Sequence, residues 1–160
     1  MRTFTIFTLS MALLLHAGCG NDGRPADMPR LYPANIKITQ EGSPLEGANV
    51  TLVSKTPATY GTASGTTDAS GIAALRTYSF VGVPAGEYSV LISHVVTEGA
   101  RELLTPEGLP YTVGGRAYQF VQEQYTREAS TPHSLTIVDR GVSETFDVGD
   151  AVRVFLRENP

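Results

Sequence analysis

Tryptophan is absent from the 160 residues, cysteine occurs once and histidine three times. A single cysteine permits no internal disulfide and no cysteine-based zinc site. Basic residues are also sparse. Lys+Arg 12 against Asp+Glu 16 leaves a net charge of -4, which argues against nucleic acid as a partner. No serine sits in a Gly-x-Ser-x-Gly elbow, and no Asp-x-Asp-x-Asp-Gly run exists. Asp139, Asp147 and Asp150 are spread over strand ends, and Asp68 has a sufficient role in a turn, so neither a metal site nor a cofactor is expected. What remains is 41% hydrophobic and 18% charged, the balance of one packed domain. Gly 16 and Pro 10 favour a turn-rich fold over a helix bundle.

The only long apolar run is at the start. Arg2 precedes the fourteen residues FTIFTLSMALLLHA, from Phe4 to Ala17. As a helix they rise about 1.5 Å each and reach roughly 21 Å, short of the ~30 Å hydrocarbon core. A basic start, a short apolar run and small residues at its end form the layout of a secretory signal. The small residues are Ala17 and Gly18, and the single cysteine, Cys19, comes next. His16-Ala17-Gly18-Cys19 resembles the bacterial lipoprotein signal, in which the cysteine sulfur takes a diacylglyceryl group and cleavage makes it the N-terminus. That family prefers an aliphatic residue three places before the cysteine; here His16 holds that place and Leu15 precedes it. The expected organisation is a removed signal at 1–18, lipidated Cys19 with a flexible tether to residue 33, and a domain over 34–160. Gly20 after the cysteine implies, by the same resemblance, export to the outer membrane or cell surface.

From Ala34 onward apolar residues recur at every second position. Ile36 and Ile38 share a face, as do Val50 and Leu52; Tyr88, Val90 and Ile92; Leu135 and Ile137; and Phe146 and Val148. Val152, Val154 and Leu156 repeat the pattern as a last candidate strand over Ala151–Arg157. Period two with one apolar side marks a half-buried strand. Glu41-Gly42-Ser43-Pro44, Thr67-Asp68-Ala69-Ser70-Gly71 and Pro84-Ala85-Gly86 supply turns between them. The pattern predicts an all-β, antiparallel sandwich. Residues 97–132 read as a long loop, with one short helix within 116–128.

Three segments together carry a second resemblance. Gln40 to Leu52 (QEGSPLEGANVTL), Gly65 to Leu75 (GTTDASGIAAL) and Pro84 to Val90 (PAGEYSV) resemble, in order and spacing, carboxypeptidase-regulatory-like domains. Val121 to Val148 resembles the ending of small planctomycete-type lipoproteins that carry this domain. The resemblance implies a transthyretin-like (prealbumin-like) sandwich of about seven strands. It implies a stalk, spacer or binding module rather than an enzyme. Transthyretin-like hydrolases of hydroxyisourate end in Tyr-Arg-Gly-Ser, whereas this chain ends Arg157-Glu158-Asn159-Pro160, so that activity does not carry over.

Few side chains suggest chemistry, and no catalytic residue is assigned. His94 and His133 are the candidates for a hydrolase base, and such a role needs a serine or carboxylate beside one of them. Tyr111, Tyr118, Phe120 and Tyr125 cluster in the presumed loop. They would either stack on a sugar or peptide or fold over the sandwich and seal its edge, sealing being favoured. The leading expectation is a lipid-anchored, non-enzymatic envelope module. It would be held in the bilayer through acylated Cys19 and face another envelope protein or polymer. A ligand-binding lipoprotein and, last, a hydrolase are the alternatives.

Overall fold

A computed structural model describes residues 23–158. The signal expected at 1–18, Cys19 and the next three residues lie outside it, as do Asn159 and Pro160. Twelve strands organise the chain. The first six are β1 (Ala34–Gln40), β2 (Asn49–Ser54), β3 (Thr62–Thr66), β4 (Ile72–Ala74), β5 (Gly86–Ser93) and β6 (Val95–Glu98). The rest are β7 (Arg101–Leu104), β8 (Pro110–Val113), β9 (Arg116–Gln119), β10 (Ser134–Ile137), β11 (Val142–Asp147) and β12 (Val154–Glu158). Short two-residue strands fill the gaps.

Two sheets face each other. The larger runs β10-β5-β2-β3 and continues into the two-residue strands Arg76–Thr77 and Phe80–Val81. The smaller is centred on β1, with β11 on one side and β4 and Ser43–Pro44 on the other. Apart from Val152, Val154 and Leu156, the alternating residues named above form the core between the sheets or pack against it. Ile36, Ile38, Val50, Leu52, Val90 and Ile92 are fully buried, joined by Tyr88, Leu135, Ile137 and Val148. Burial of each large aliphatic side chain contributes about 1.5–3 kcal/mol. The all-β sandwich is therefore as the pattern predicts, with one departure: β11 pairs with β1 in parallel, from Val142↔Ala34 to Asp147↔Thr39. Alternation along a strand specifies its buried face and not the direction of its neighbour.

Turn chemistry behaves as read. Asp68 Oδ1 accepts the Ser70 N–H at 2.8 Å and the Ile72 N–H at 3.0 Å. Gly71 sits at φ 75, and a Cβ there would lie 2.6 Å from the Ile38 carbonyl oxygen. Only glycine fits that contact.

Two expectations are corrected. The described part of the expected tether, residues 23–33, is packed. Met28 is buried, Leu31–Tyr32 pair with Val83–Pro84, and the Tyr60 hydroxyl donates to Asp27 at 2.9 Å. Apolar Met28 and Leu31 hold a stretch whose Gly, Pro and Asp content reads as loose. The second correction concerns residues 97–132, which are not mainly loop. They hold most of a long β hairpin and then a single 3-10 turn, Glu123–Thr126, inside the stretch where a short helix was expected.

Candidate functional site

The hairpin is the feature that sets this sandwich apart. Strand β5 does not end at the sandwich rim; it passes through His94 and continues as β6. The returning strands keep one register throughout, with Val95↔Gln119, Glu98↔Arg116, Arg101↔Val113 and Leu104↔Pro110. The two ladders therefore form a single arm interrupted once, where Gly99-Ala100 faces Gly114-Gly115. At Gly115 (φ 94) an added Cβ would lie 2.9 Å from the Ala100 nitrogen, so the close crossing of the strands requires glycine. Ten residues from Val95 to Leu104 at ~3.3 Å each give an arm of roughly 33 Å. Thr105 closes its tip, accepting the Gly108 N–H through its carbonyl at 2.8 Å and the Leu109 N–H through its hydroxyl at 3.2 Å.

The base of the arm is fastened. The Phe120 N–H donates to the His94 carbonyl at 2.9 Å, the His94 N–H to Gln119 Oε1 at 3.0 Å, and Gln40 Nε2 to the Phe120 carbonyl at 2.9 Å. Strand β12 adds to β9 as an outer edge, with a register shift between Ala117 and Tyr118. The last candidate strand thus exists, but it belongs to the arm and not to the sandwich.

The arm is apolar yet exposed. No residue of β6 or β7 is buried, and Leu104 and Leu109 near the tip are 66% and 64% exposed. On β12, Phe155 is 54% exposed. At the base, one face combines rings with charges. Tyr118 and Phe155 meet edge to face at 5.8 Å, and the Arg153 guanidinium lies 3.7 Å over the Tyr118 ring. Arg153 pairs with Glu98 at 2.6 Å and Arg116 with Glu158 at 3.6 Å. Glu98, Arg116, Tyr118, Arg153 and Glu158 line a shallow depression of about 500 Å³, and Phe155 lines a second, of about 300 Å³, with Arg116, Tyr118 and Glu158. On the other side of β12, Val154 and Leu156 line a groove of about 370 Å³ against Val121, Thr126 and Arg127.

The four aromatic residues of the presumed loop do not come together. Tyr111 lies on the outer arm opposite Leu103. Tyr118 stands at the arm base, and Phe120 packs beside His94 with ring centroids 6.0 Å apart. Tyr125 alone seals the sandwich: it is buried and stacks on His133 at 5.1 Å, which in turn meets Phe146 at 4.7 Å. His94 Nδ1 and His133 Nε2 are enclosed with no hydrogen-bond partner. Burial lowers the pKa of both imidazoles. The hydrolase reading requires a serine or carboxylate side chain hydrogen-bonded to one of these rings, and the nitrogens named here face none. Among the described residues no cluster of three metal-ligating side chains occurs.

Phe155, Arg153, Arg116 and the leucines of the tip were not singled out by sequence reasoning. The available signal was the apolar pair on each side of one turn, Val95-Val96 and Leu103-Leu104 before Thr105 and Leu109 and Tyr111 after it.

No protein family matches the chain, and no curated protein is similar to it. Among solved structures it is similar to the major pilin subunit of Bacillus cereus, at 14% identity and a TM-score of 0.40. That likeness covers 75% of this chain and 30% of the pilin chain, so this chain spans less than a third of its length. It is too distant to assign a family or an activity.

Proposed function

We propose that this protein is a lipid-anchored, non-enzymatic module of the cell envelope that holds another envelope protein through its projecting hairpin. The observation that carries the reading is the arm itself, whose apolar side chains are displayed on a two-stranded ladder outside the core. Monomeric proteins rarely leave such surface uncovered, and exposed edge strands are normally blunted unless a partner covers them. The lipoprotein-like sequence before Cys19 supports placement at the membrane. The order of the turn motifs supports reading the sandwich as a transthyretin-like, carboxypeptidase-regulatory-like domain.

The test is recovery of cross-linked partners from membranes with the whole chain and with an arm-less chain. Glu98 and Arg116 are already cross-strand partners, so an Asn-Gly turn joining them removes residues 99–115 cleanly. The proposal expects one protein partner with the whole chain and its loss with the short one. Equal recovery by both refutes it.

The Tyr118–Phe155 pair favours a second reading, in which the depression beside Arg116 and Glu158 takes a saccharide. Rings stack on sugar faces while guanidinium and carboxylate groups bind hydroxyls. Calorimetric titration with envelope glycans, comparing the protein with its Phe155→Ala variant, separates this reading from the first.

A further inference from the structure

We propose that the end of the sandwich where the chain enters is a headgroup-binding face, which rests on anionic lipid through Tyr78, Phe80, Val81, Arg30 and Arg76. The inference takes its orientation from the proposed anchor at Cys19. It is carried by three observations.

The first is an aromatic and apolar rim. Tyr78 is 70% exposed and Val81 63% exposed, on the short hairpin that forms the outer edge of the larger sheet. Tyr78 stands at φ 54, a conformation that a bulky side chain rarely adopts and that glycine would adopt without strain. Its ring meets Tyr60 edge to face at 5.8 Å. Tyrosines of this kind, apolar in body and polar at the tip, settle at membrane interfaces.

The second is a set of basic side chains at this end. The Arg24 guanidinium lies 5.8 Å from the Phe80 ring centroid, Arg30 lies 5.5 Å from that of Tyr32, and Arg76 donates to the Ser79 carbonyl at 2.8 Å. Asp27, which accepts from Tyr60, and Glu87 line the depression beside them. The exposed Arg30 and Arg76 guanidinium groups complement anionic headgroups, although the whole chain carries -4.

The third is reach. Three residues separate Cys19 from Gly23, and four extended Cα steps span no more than about 14 Å. The entering chain is then pinned beside this hairpin by Leu31↔Pro84 and Tyr32↔Val83. An acyl chain on Cys19 would therefore hold the chain-entry end close to the bilayer. The arm leaves from the opposite end of β5, after Ser93.

The absence of tryptophan makes the test clean. The chain from Cys19 onward is coupled through that cysteine to a maleimide lipid, so the result does not depend on acylation in the cell. Vesicles are made of phosphatidylcholine with phosphatidylglycerol, or of phosphatidylcholine alone, with brominated acyl chains. Emission from Tyr78→Trp is expected to shift to the blue and be quenched on the mixed vesicles, with Val81→Trp as a second reporter. Tyr111→Trp on the arm is expected to be unmoved. In the uncoupled Cys19→Ser chain, Arg30→Glu and Arg76→Glu are each expected to lower partition onto the mixed vesicles about fivefold or more. Two unmoved reporters at 78 and 81, or a quenched reporter at 111, overturn the proposal; the first result would mean that the face binds protein or nothing. The mass of the cell-extracted protein tests the anchor separately: an unacylated Cys19 refutes the anchor, and quenched reporters still uphold the face.

Discussion

Thr67 is the polar side chain whose loss should damage the fold most for its size. It is 4% exposed and staples the turn between β1 and β2. Its hydroxyl donates to the Leu45 carbonyl at 2.6 Å and accepts the Ala48 N–H at 2.8 Å. Thr67→Val keeps the shape and removes both bonds, which strands a carbonyl and an N–H in a dry site. Each stranded group costs about 1–3 kcal/mol, and the added methyl returns less than about 1 kcal/mol, so the net loss is about 2–4 kcal/mol. That is a large share of the about 5–15 kcal/mol that holds a typical domain. In urea the midpoint should fall by about 1–2 M with an unchanged slope, and the melting temperature by about 4–15 °C. Thr66→Val, at the exposed neighbouring position, should stay within about 0.5 kcal/mol of the parent. If Thr67→Val is as stable as that control, the reasoning from buried hydrogen bonds at this turn is refuted.

Three further outcomes are expected. Replacing residues 99–115 by Asn-Gly should change the stability of the sandwich by less than about 1 kcal/mol in urea, because the core cluster draws no residue from that stretch; a larger loss would mean that the arm supports the fold. His94 and His133 have pKa values lowered by burial, so below the unfolded value of about 6.5 the unfolded chain takes up protons that the folded chain refuses. Their contribution is present above that value and is lost as pH falls toward the folded values. Urea midpoints should therefore drop between about pH 7 and pH 5.5, and His133→Phe, which keeps the stack between Tyr125 and Phe146, should drop less. Asp147 has a lowered pKa because its carboxylate accepts from the Thr39 hydroxyl at 2.7 Å and from the Gly149 and Gly42 N–H groups at 2.8 and 3.1 Å. Its stabilisation is present above the ordinary carboxylate pKa of about 3.9 and is lost as pH falls through its own lower value. Asp147→Asn should cost about 1 kcal/mol or less at neutral pH, given its exposure, and should remove that acid-side loss.

The legible part of the fold is the part with one wet side and one dry side. Ile36/Ile38, Val50/Leu52 and Tyr88/Val90/Ile92 alternate with more polar or less buried positions such as Asn35, Lys37 and Thr51, and all of them are in the core. Asp68 and Gly71 are legible because a tight turn admits few residues. The arm defeats the same reading. Val95 and Val96 are both exposed, as are Leu103 and Leu104, so no alternation marks these strands. A ladder with two wet faces has a pattern set by whatever covers it, and that is not encoded as a period. The depression at Tyr118 was half legible: its tyrosine stood out as one of a cluster, while Arg153, Phe155 and Glu158 come from a strand more than thirty residues on.

The most direct measurement places a photo-cross-linking amino acid at Leu104 on the arm tip, or at Glu144 on the sandwich, in living cells. The account predicts one discrete adduct with an envelope protein from the arm position and none from the other. Adducts absent from both positions, or the same adducts from both, would contradict it.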